Sequence, residues 1–485
     1  MGLIPDLAAR RAQLSPEAPA FVDHETGEEW TFARVDNAAA RLGTALLAQV
    51  PKGARIAILC HNRPEFFVAL FACQKAGLIL APLNWRQPVA ELLPVVQSVD
   101  CALVLHDEGF ADAATALGLP VMPLAIPDAA PLPPTPIDED VPWYVLFTSG
   151  TTGTPKAVIQ TPRMVVANAI NIAQAMGLTS EDRTVNFLPL FHTGGINLFT
   201  LPLFLWGGRS LVLRKFDAPA LEDLIGQGAV TQFFGVPAIY QALKQMDLNG
   251  VDLSHVRGWA CGGAALPEAT IRFFAERGAL ICNGFGMTET GPTGFLIDRA
   301  AAIAKIGSVG KPQMMTEARL DGVPDGEPGA GELLLRGPTV TPGYLDNPQA
   351  TAAAFTADGW LKSGDVAARD ADGYYRIIDR IKDMYISGGE NVYPAEVEKV
   401  LIAHPAVLDA AVIGVPDPTW GETGVAFLIP KPGLTPDLAT LTPWLRERLA
   451  AYKLPRAFHL VADFPRTAAG KVRKPELRIL CHDRN

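Results

Sequence analysis

From residue 54 to about 285, short β-rich runs alternate with stretches whose apolar residues recur at helical spacing. "RIAILC" (55–60) gives way to "EFFVALFACQKAG" (65–77), and "CALVL" (101–105) follows. Further on, "TQFFG" (231–235) precedes "PAIYQALKQM" (237–246), and "WACGG" (259–263) precedes "PEATIRFFAERG" (267–278). Strand, helix and strand repeated in this way predict parallel sheets covered by helices. A proline-rich stretch (127–142) leads into one more strand, "WYVLF" (143–147). After about 305, "EARLDG", "GELLLRG" and "WLKSGDVAARDADGYYRIID" read as short strands with Gly and Asp turns, a small β-barrel or meander. After about 382, "PAEVEKVLIAH", "AVLDAAVIGVPD", "GVAFLIP" and "LTPWLRERLAAY" read as a compact α+β unit. A large N-terminal α/β region, a β-rich appendage and a separate C-terminal domain are therefore expected.

Composition agrees with several cores. The chain has 485 residues, of which 49 % are hydrophobic and 19 % charged, far from the disordered regime. A net charge of −10 and a pI near 5.4 argue against bulk nucleic-acid or anionic-membrane binding. Six cysteines without CxxC spacing, most of them in apolar runs, read as buried small hydrophobes in a reducing compartment. The start lacks the apolar core of a signal peptide, and Asp6 stands where myristoylation wants Ser or Thr. The longest apolar stretch, "GINLFTLPLFLWGG" (195–208), is too short to span a bilayer. A soluble, cytoplasmic protein is expected.

Chemistry concentrates in a few loops. "FTSGTTGTPKAV" (147–158) surrounds two glycines with hydroxyls and ends on Lys156. It fails the Walker spacing. A Gly/Ser/Thr loop after a strand can nonetheless form a nest of backbone N–H groups for an anion, with Lys156 adding a point charge. Downstream come "LPLFHTGG" (188–195), "CGGAALP" (261–267), "NGFGMTET" (283–290), "LKSGDVA" (361–367, with Asp365 in a turn), "DRIKDMYISGGENVYPAEVE" (379–398) and "PRTAAGKVRK" (465–474).

This ordered series resembles the adenylate-forming superfamily of acyl-CoA synthetases, peptide-synthetase adenylation domains and luciferases, over nearly the whole chain. The resemblance implies an α/β fold. A large N-terminal domain (1–381) holds two helix-covered β-sheets plus a β-barrel-like part over about 305–381, and a small mobile α+β C-terminal domain (382–485) follows. It implies that a carboxylate attacks the α-phosphate of ATP, giving an acyl-adenylate and pyrophosphate, before transfer to a thiol. By the same resemblance, Thr148, Ser149, Gly150, Thr151, Thr152 and Lys156 grip the β- and γ-phosphates. Gly263, Ala264, Phe285 and Gly286 lie on the nucleotide, Phe285 stacking where the family usually has Tyr. Thr288 contacts the α-phosphate, and Glu289 holds Mg²⁺ together with phosphate oxygens. Asp365 and Arg380 take the ribose hydroxyls. Lys471 bridges the acid and the α-phosphate. Lys382 matches the hinge on which the C-terminal domain swings, bringing Gly388 and Gly389 beside a pantetheine arm. Ala157 and Ser363 depart from a frequent Gly and Thr, and neither change removes a charge.

The resemblance also implies an acid pocket of His192, Gly194, Phe234, Gly235, Gly262, Gly284 and Met287, with His192 also in the catalytic set. Amino-acid-activating relatives carry an Asp where this chain reads Phe191-His192-Thr193-Gly194-Gly195. An apolar acid, fatty or aryl, therefore fits better than a free amino acid. The pattern looks most like bacterial feruloyl-CoA synthetases and fatty acyl-CoA ligases. Arg272 could meet a second carboxylate, but reads more simply as a helix-surface residue. ATP, Mg²⁺ and CoA are the implied cofactors, with Lys453, Arg456, Arg473 and Lys474 as candidate contacts to CoA phosphates or else a solvated face. A homodimer is admitted as an assembly. Loading of a carrier-protein pantetheine and a non-catalytic nucleotide-binding scaffold stand as alternatives.

Overall fold

The computed structural model describes residues 2–148, 155–246, 248, 250–387, 390–417, 421–467 and 470–482. Contacts divide the chain into two compact units, Met1–Ala318 with Leu335–Leu361, and Arg319–Leu334 with Lys362–Asn485.

The first unit holds two sheets. In the six-stranded one, Arg55–Leu59 pairs in parallel with Ile79–Pro82 and Cys101–His106. Tyr144–Thr148 continues it in parallel beside Ile79–Pro82, and Lys156–Gln160 closes that edge antiparallel. In the nine-stranded sheet, six strands run parallel: Pro19–Asp23, Arg209–Val212, Arg183–Asn186, Gln232–Gly235, Gly258–Cys261 and Ile281–Phe285. The runs read as strands from the sequence are the strands found.

Helix Pro64–Ala76 shows why the pattern "EFFVALFACQKAG" has no polar face: Phe66 to Gln74 are all buried. A helix apolar all round must be covered all round. Phe67 stacks on Phe21 of the nine-stranded sheet, centroids 4.6 Å apart. On the other side, Trp143 Nε1 donates to the Leu70 carbonyl at 2.7 Å. A second core gathers Phe233, Tyr240, Trp259 and Phe274, with Tyr240 OH donating to the Ala260 carbonyl at 2.9 Å. All six cysteines are free and buried, as expected of small hydrophobes.

One buried charge braces the nine-stranded sheet. Asp182, 2 % exposed, precedes strand Arg183–Asn186. It accepts from Arg257 Nε at 2.9 Å, Thr231 Oγ1 at 2.7 Å and the Thr179 amide at 2.8 Å. Burial opposes its ionisation, but these bonds outweigh it and hold its carboxyl below the ordinary range. A depressed acid stabilises the fold fully above the unfolded carboxylate range, near pH 4, and less as pH falls through the folded value. Asp182→Asn is expected to cost about 2–3 kcal/mol at pH 7. Urea denaturation at pH 7 and pH 3 checks it: the gap to wild type should narrow in acid, and an equal gap at both pH values would refute the assignment.

In the second unit lies the body of a four-stranded sheet, Glu317–Leu320, Gly329–Arg336, Leu361–Arg369 and Tyr375–Arg380, in chain order. Of the two forms expected for this stretch, its strand order is that of the meander. The rest of the unit is α+β. The hairpin of Val407–Asp417 and Gly421–Pro430 carries Ala457–Leu460 in parallel. Helix Pro394–Ile402 buries Val397 and Leu401 in the unit's core. Among the described residues no helix is long and apolar enough to cross a membrane.

Candidate active site

In open sheets of parallel strands, ligands bind beyond the carboxyl ends of the strands, where loops diverge and backbone groups are unpaired. The motif residues of the first unit cluster at such ends. Phe234 and Gly235 end Gln232–Gly235, Gly262 to Ala264 follow Gly258–Cys261, and Phe285 ends Ile281–Phe285. Thr148 ends its strand in the other sheet. His192 caps helix Thr193–Asn197, past the end of Arg183–Asn186, with its ring 4.7 Å from that of Phe191. Gly194 and Gly195 open that helix, and an added Cβ on Gly195 would lie 2.5 Å from the Pro189 carbonyl oxygen.

Ser149, Gly150, Thr151 and Thr152 lie outside the described residues, but both flanks of their loop are fixed. Thr148 and Lys156 are direct partners in the antiparallel pair, so the hairpin returns its lysine to the loop's base. Lys156 Nζ lies 4.9 Å from the centroid of the Tyr344 ring. Tyr344 OH donates in turn to Glu289 Oε1 at 3.0 Å. Glu289, 7 % exposed, sits in the 3₁₀ turn Thr288–Thr290. That turn is held by Gln160 Nε2 on the Thr288 carbonyl at 3.0 Å and by the Thr341 amide on the Glu289 carbonyl at 2.8 Å. Burial, the Glu289 charge and the bond to it all push the Tyr344 phenol up, so it stays a donor. No motif in the sequence singles out Tyr344, and only its pairing with a distant strand places it here.

Upstream, Gly286 is required by close approach, since a Cβ there would overlap the Pro292 carbonyl oxygen. The half-buried Met287 caps the turn, its amide donating to Thr290 Oγ1 at 2.9 Å. Phe285 sets its ring edge-on to Phe295 at 6.1 Å and is half-buried. Gly262, Gly284 and Phe234 converge. A Cβ on Gly262 would stand 3.4 Å from both the Gly284 carbonyl oxygen and Phe234 Cζ. Gly235 does not join them. Alternation along the strand turns it with Phe233 to the opposite face, where a Cβ would meet Phe233, Tyr240 and Ile239 of the core. Gly263, at φ +85°, and Ala264 form the exposed turn that follows.

In the second unit, Asp365 differs from its expected place. It lies within strand Leu361–Arg369, 3 % exposed and directly paired with Arg380, because Gly364 at φ +71° lets the strand continue where a turn is legible. Arg380 Nε donates to Asp365 Oδ1 at 3.0 Å. Oδ2 is buried with no hydrogen-bond partner among the described residues. Burial pushes this carboxyl up, against the pull of Arg380 and of the Lys471 ammonium. An orphaned buried acceptor beside a guanidinium is a fit for a hydroxyl pair such as a ribose presents.

Lys471 is exposed on a turn with Gly470 at φ +79°, tied by the Thr467 amide on its carbonyl at 2.7 Å. Lys382 is exposed in the turn between Tyr375–Arg380 and Tyr385–Ser387. Gly388 and Gly389 lie outside the described residues.

The four basic candidates for CoA phosphates are engaged elsewhere. The half-buried Lys474 pairs with Glu398 at 2.8 Å, its ammonium stabilised by Glu398 and Asp379, and serves there as a structural anchor. Lys453 pairs with Glu396, Arg456 with Asp417 and Arg473 with Glu476. Arg272 pairs with Glu268 on an exposed helix face.

Among the described residues no three His, Cys, Asp or Glu form a metal-binding group. A divalent ion at Glu289 would take its other oxygens from a nucleotide and from water. A lone buried carboxylate near Lys156 suits that division.

Comparison with known proteins gives the family and the class of enzyme. Residues 8–345 match the AMP-binding enzyme family and residues 396–471 its C-terminal domain. The chain belongs to the AMP-binding enzyme family within the adenylate-forming superfamily, and is an ATP-dependent acyl-CoA synthetase. It is 40 % identical over 481 residues to a feruloyl-CoA synthase of an Amycolatopsis species, covering 97 % of both chains. It is 36 % identical over 497 residues to an indoleacetate–CoA ligase of Aromatoleum aromaticum, covering 97 % of this chain and 96 % of that one. Among solved structures, the o-succinylbenzoate CoA synthetase of Bacillus subtilis with its acyl-adenylate aligns at TM-score 0.90, with 31 % identity and 99 % of each chain covered. The same enzyme has been solved with ATP and a magnesium ion.

Proposed function

We propose that this enzyme activates an aryl-substituted carboxylic acid of the hydroxycinnamic or arylacetic kind and transfers it to CoA. The observation that carries this reading is the likeness, over 97 % of the chain, to a feruloyl-CoA synthase and an indoleacetate–CoA ligase, both named for acids that carry an aryl ring. Phe234 packed over the Gly262 backbone at the strand ends adds an uncharged aromatic surface that suits an aryl group.

A carboxylate is a weak nucleophile, and the α-phosphate gathers negative charge as it is attacked. The loop from Thr148 to Lys156 would hold the β- and γ-phosphates, leaving pyrophosphate as the departing group, while Thr288 contacts the α-phosphate. Phe285 would stack on adenine, and Asp365 with Arg380 would take the ribose. Lys471 would neutralise charge between the acid and the α-phosphate, the kind of preorganised stabilisation that dominates such barriers. Glu289 would hold Mg²⁺, which when bound screens the phosphate oxygens.

The second half-reaction needs a thiol where the lysine stood. The reading therefore keeps a domain boundary at 381/382 with Lys382 as its hinge, and Gly388 and Gly389 beside the pantetheine. Pyrophosphate release with ATP, CoA and a panel of ferulic, indoleacetic, benzoic and fatty acids tests the assignment. Aryl acids should lead in kcat/KM by about tenfold or more, the discrimination a shaped pocket gives. A lead by alkyl acids would overturn the aryl reading, turnover with carrier pantetheine but not CoA would move the acceptor, and acid-independent behaviour would leave a scaffold.

A further inference from the structure

The segment carrying Tyr344 lies along strand Lys156–Gln160 as an extra antiparallel partner: Ile159 donates to the Gly343 carbonyl at 3.1 Å, and Leu345 to that of Ala157 at 2.8 Å. This pairing sets one side chain between two motifs far apart in the chain. The face of its ring is 4.9 Å from Lys156 Nζ, and its hydroxyl is 3.0 Å from Glu289 Oε1. A hydrogen bond to one carboxylate oxygen fixes the rotation of the whole group, which is how partners outside a metal's own ligands set the direction of those ligands. The ring face meanwhile restrains an ammonium on a long flexible stem.

We propose that Tyr344 is a positioning residue that aims the Glu289 carboxylate at the magnesium of bound ATP through its hydroxyl, and holds Lys156 at the phosphate loop through its ring. This rests on the reading of Glu289 as the metal-holding carboxylate. The two contacts are separable, because Phe keeps the ring and loses the hydroxyl.

Calorimetric titration of the full chain with ATP, without acid or CoA, in EDTA and in saturating Mg²⁺, tests it. Tyr344→Phe should bind ATP in EDTA as wild type does, and should lose about tenfold of the tightening that Mg²⁺ brings. Tyr344→Leu should lose affinity in EDTA as well. In Glu289→Gln the Mg²⁺ tightening should vanish, and adding Tyr344→Phe to it should weaken binding no further. If Glu289→Gln removes the tightening while Tyr344→Phe keeps it, the positioning role is wrong. If Glu289→Gln keeps it, the carboxylate reading itself fails and takes the proposal with it. Additive losses in the double variant, or a Tyr344→Phe protein weakened equally in EDTA and in Mg²⁺, would mark a general structural effect and overturn the proposal.

Discussion

Lys471→Ala is expected to lower acid-dependent ATP–pyrophosphate exchange about 10²–10³-fold, the loss typical of removing one preorganised charge from a developing anion. ATP affinity should change little, because the phosphate loop, Glu289 and Phe285 belong to the other unit. Thioester formation from a supplied acyl-adenylate should also survive, since that step forms no charge at the attacking carboxylate. The local structure favours a specific effect over a folding defect. Lys471 is exposed on a turn closed by Thr467 and Gly470, and the nearby half-buried Lys474–Glu398 pair is left in place by the substitution. Single-turnover assays with ATP and acid, and separately with acyl-adenylate and CoA, distinguish the outcomes. Exchange at the wild-type rate would remove Lys471 from the chemistry.

Lys382→Pro is expected to spare the exchange reaction and slow thioester formation about 10²-fold. Proline fixes φ near −65° and removes an N–H. Among the described residues, the neighbouring amides of Ile381, Asp383 and Met384 donate to Gly364 and Arg380, and none of these bonds uses Lys382. One conformation should therefore accept proline. A second that needs another φ at this residue would cost about 3 kcal/mol, which is about 10² in rate. The measurement is the ratio of the two half-reactions. Equal loss in both would show a local defect and remove the hinge assignment.

Much of this was legible because it is local. "TQFFG" and "WACGG" combine aromatic residues with glycine stops, "RIAILC" sets two β-branched isoleucines in a short apolar run, and each became the strand expected. The loop glycines, Glu289 and Lys471 stand out through the order of their motifs along the chain, which carries the resemblance, and not through any one short span.

What stayed hidden depends on partners distant in the chain. Glu289 alone reads as a surface carboxylate, yet the 3₁₀ turn beneath Thr341 and Gln160 buries it. Asp365 reads as a turn residue, and pairing with Arg380 makes it a buried strand residue. Lys474 carries the same side chain as Lys471 and is just three residues on, but only Glu398 across the fold tells an anchor from an exposed ammonium.

The sequence by itself determined the order of strands and helices and the family, and it singled out the candidate side chains, since periodicity and residue type act over short spans. The tertiary structure alone decided which of those side chains lost water and which gained a neighbour, as for Tyr344 between Lys156 and Glu289. Those outcomes follow from strand register, and register is set by the burial of whole faces at once rather than by any one segment.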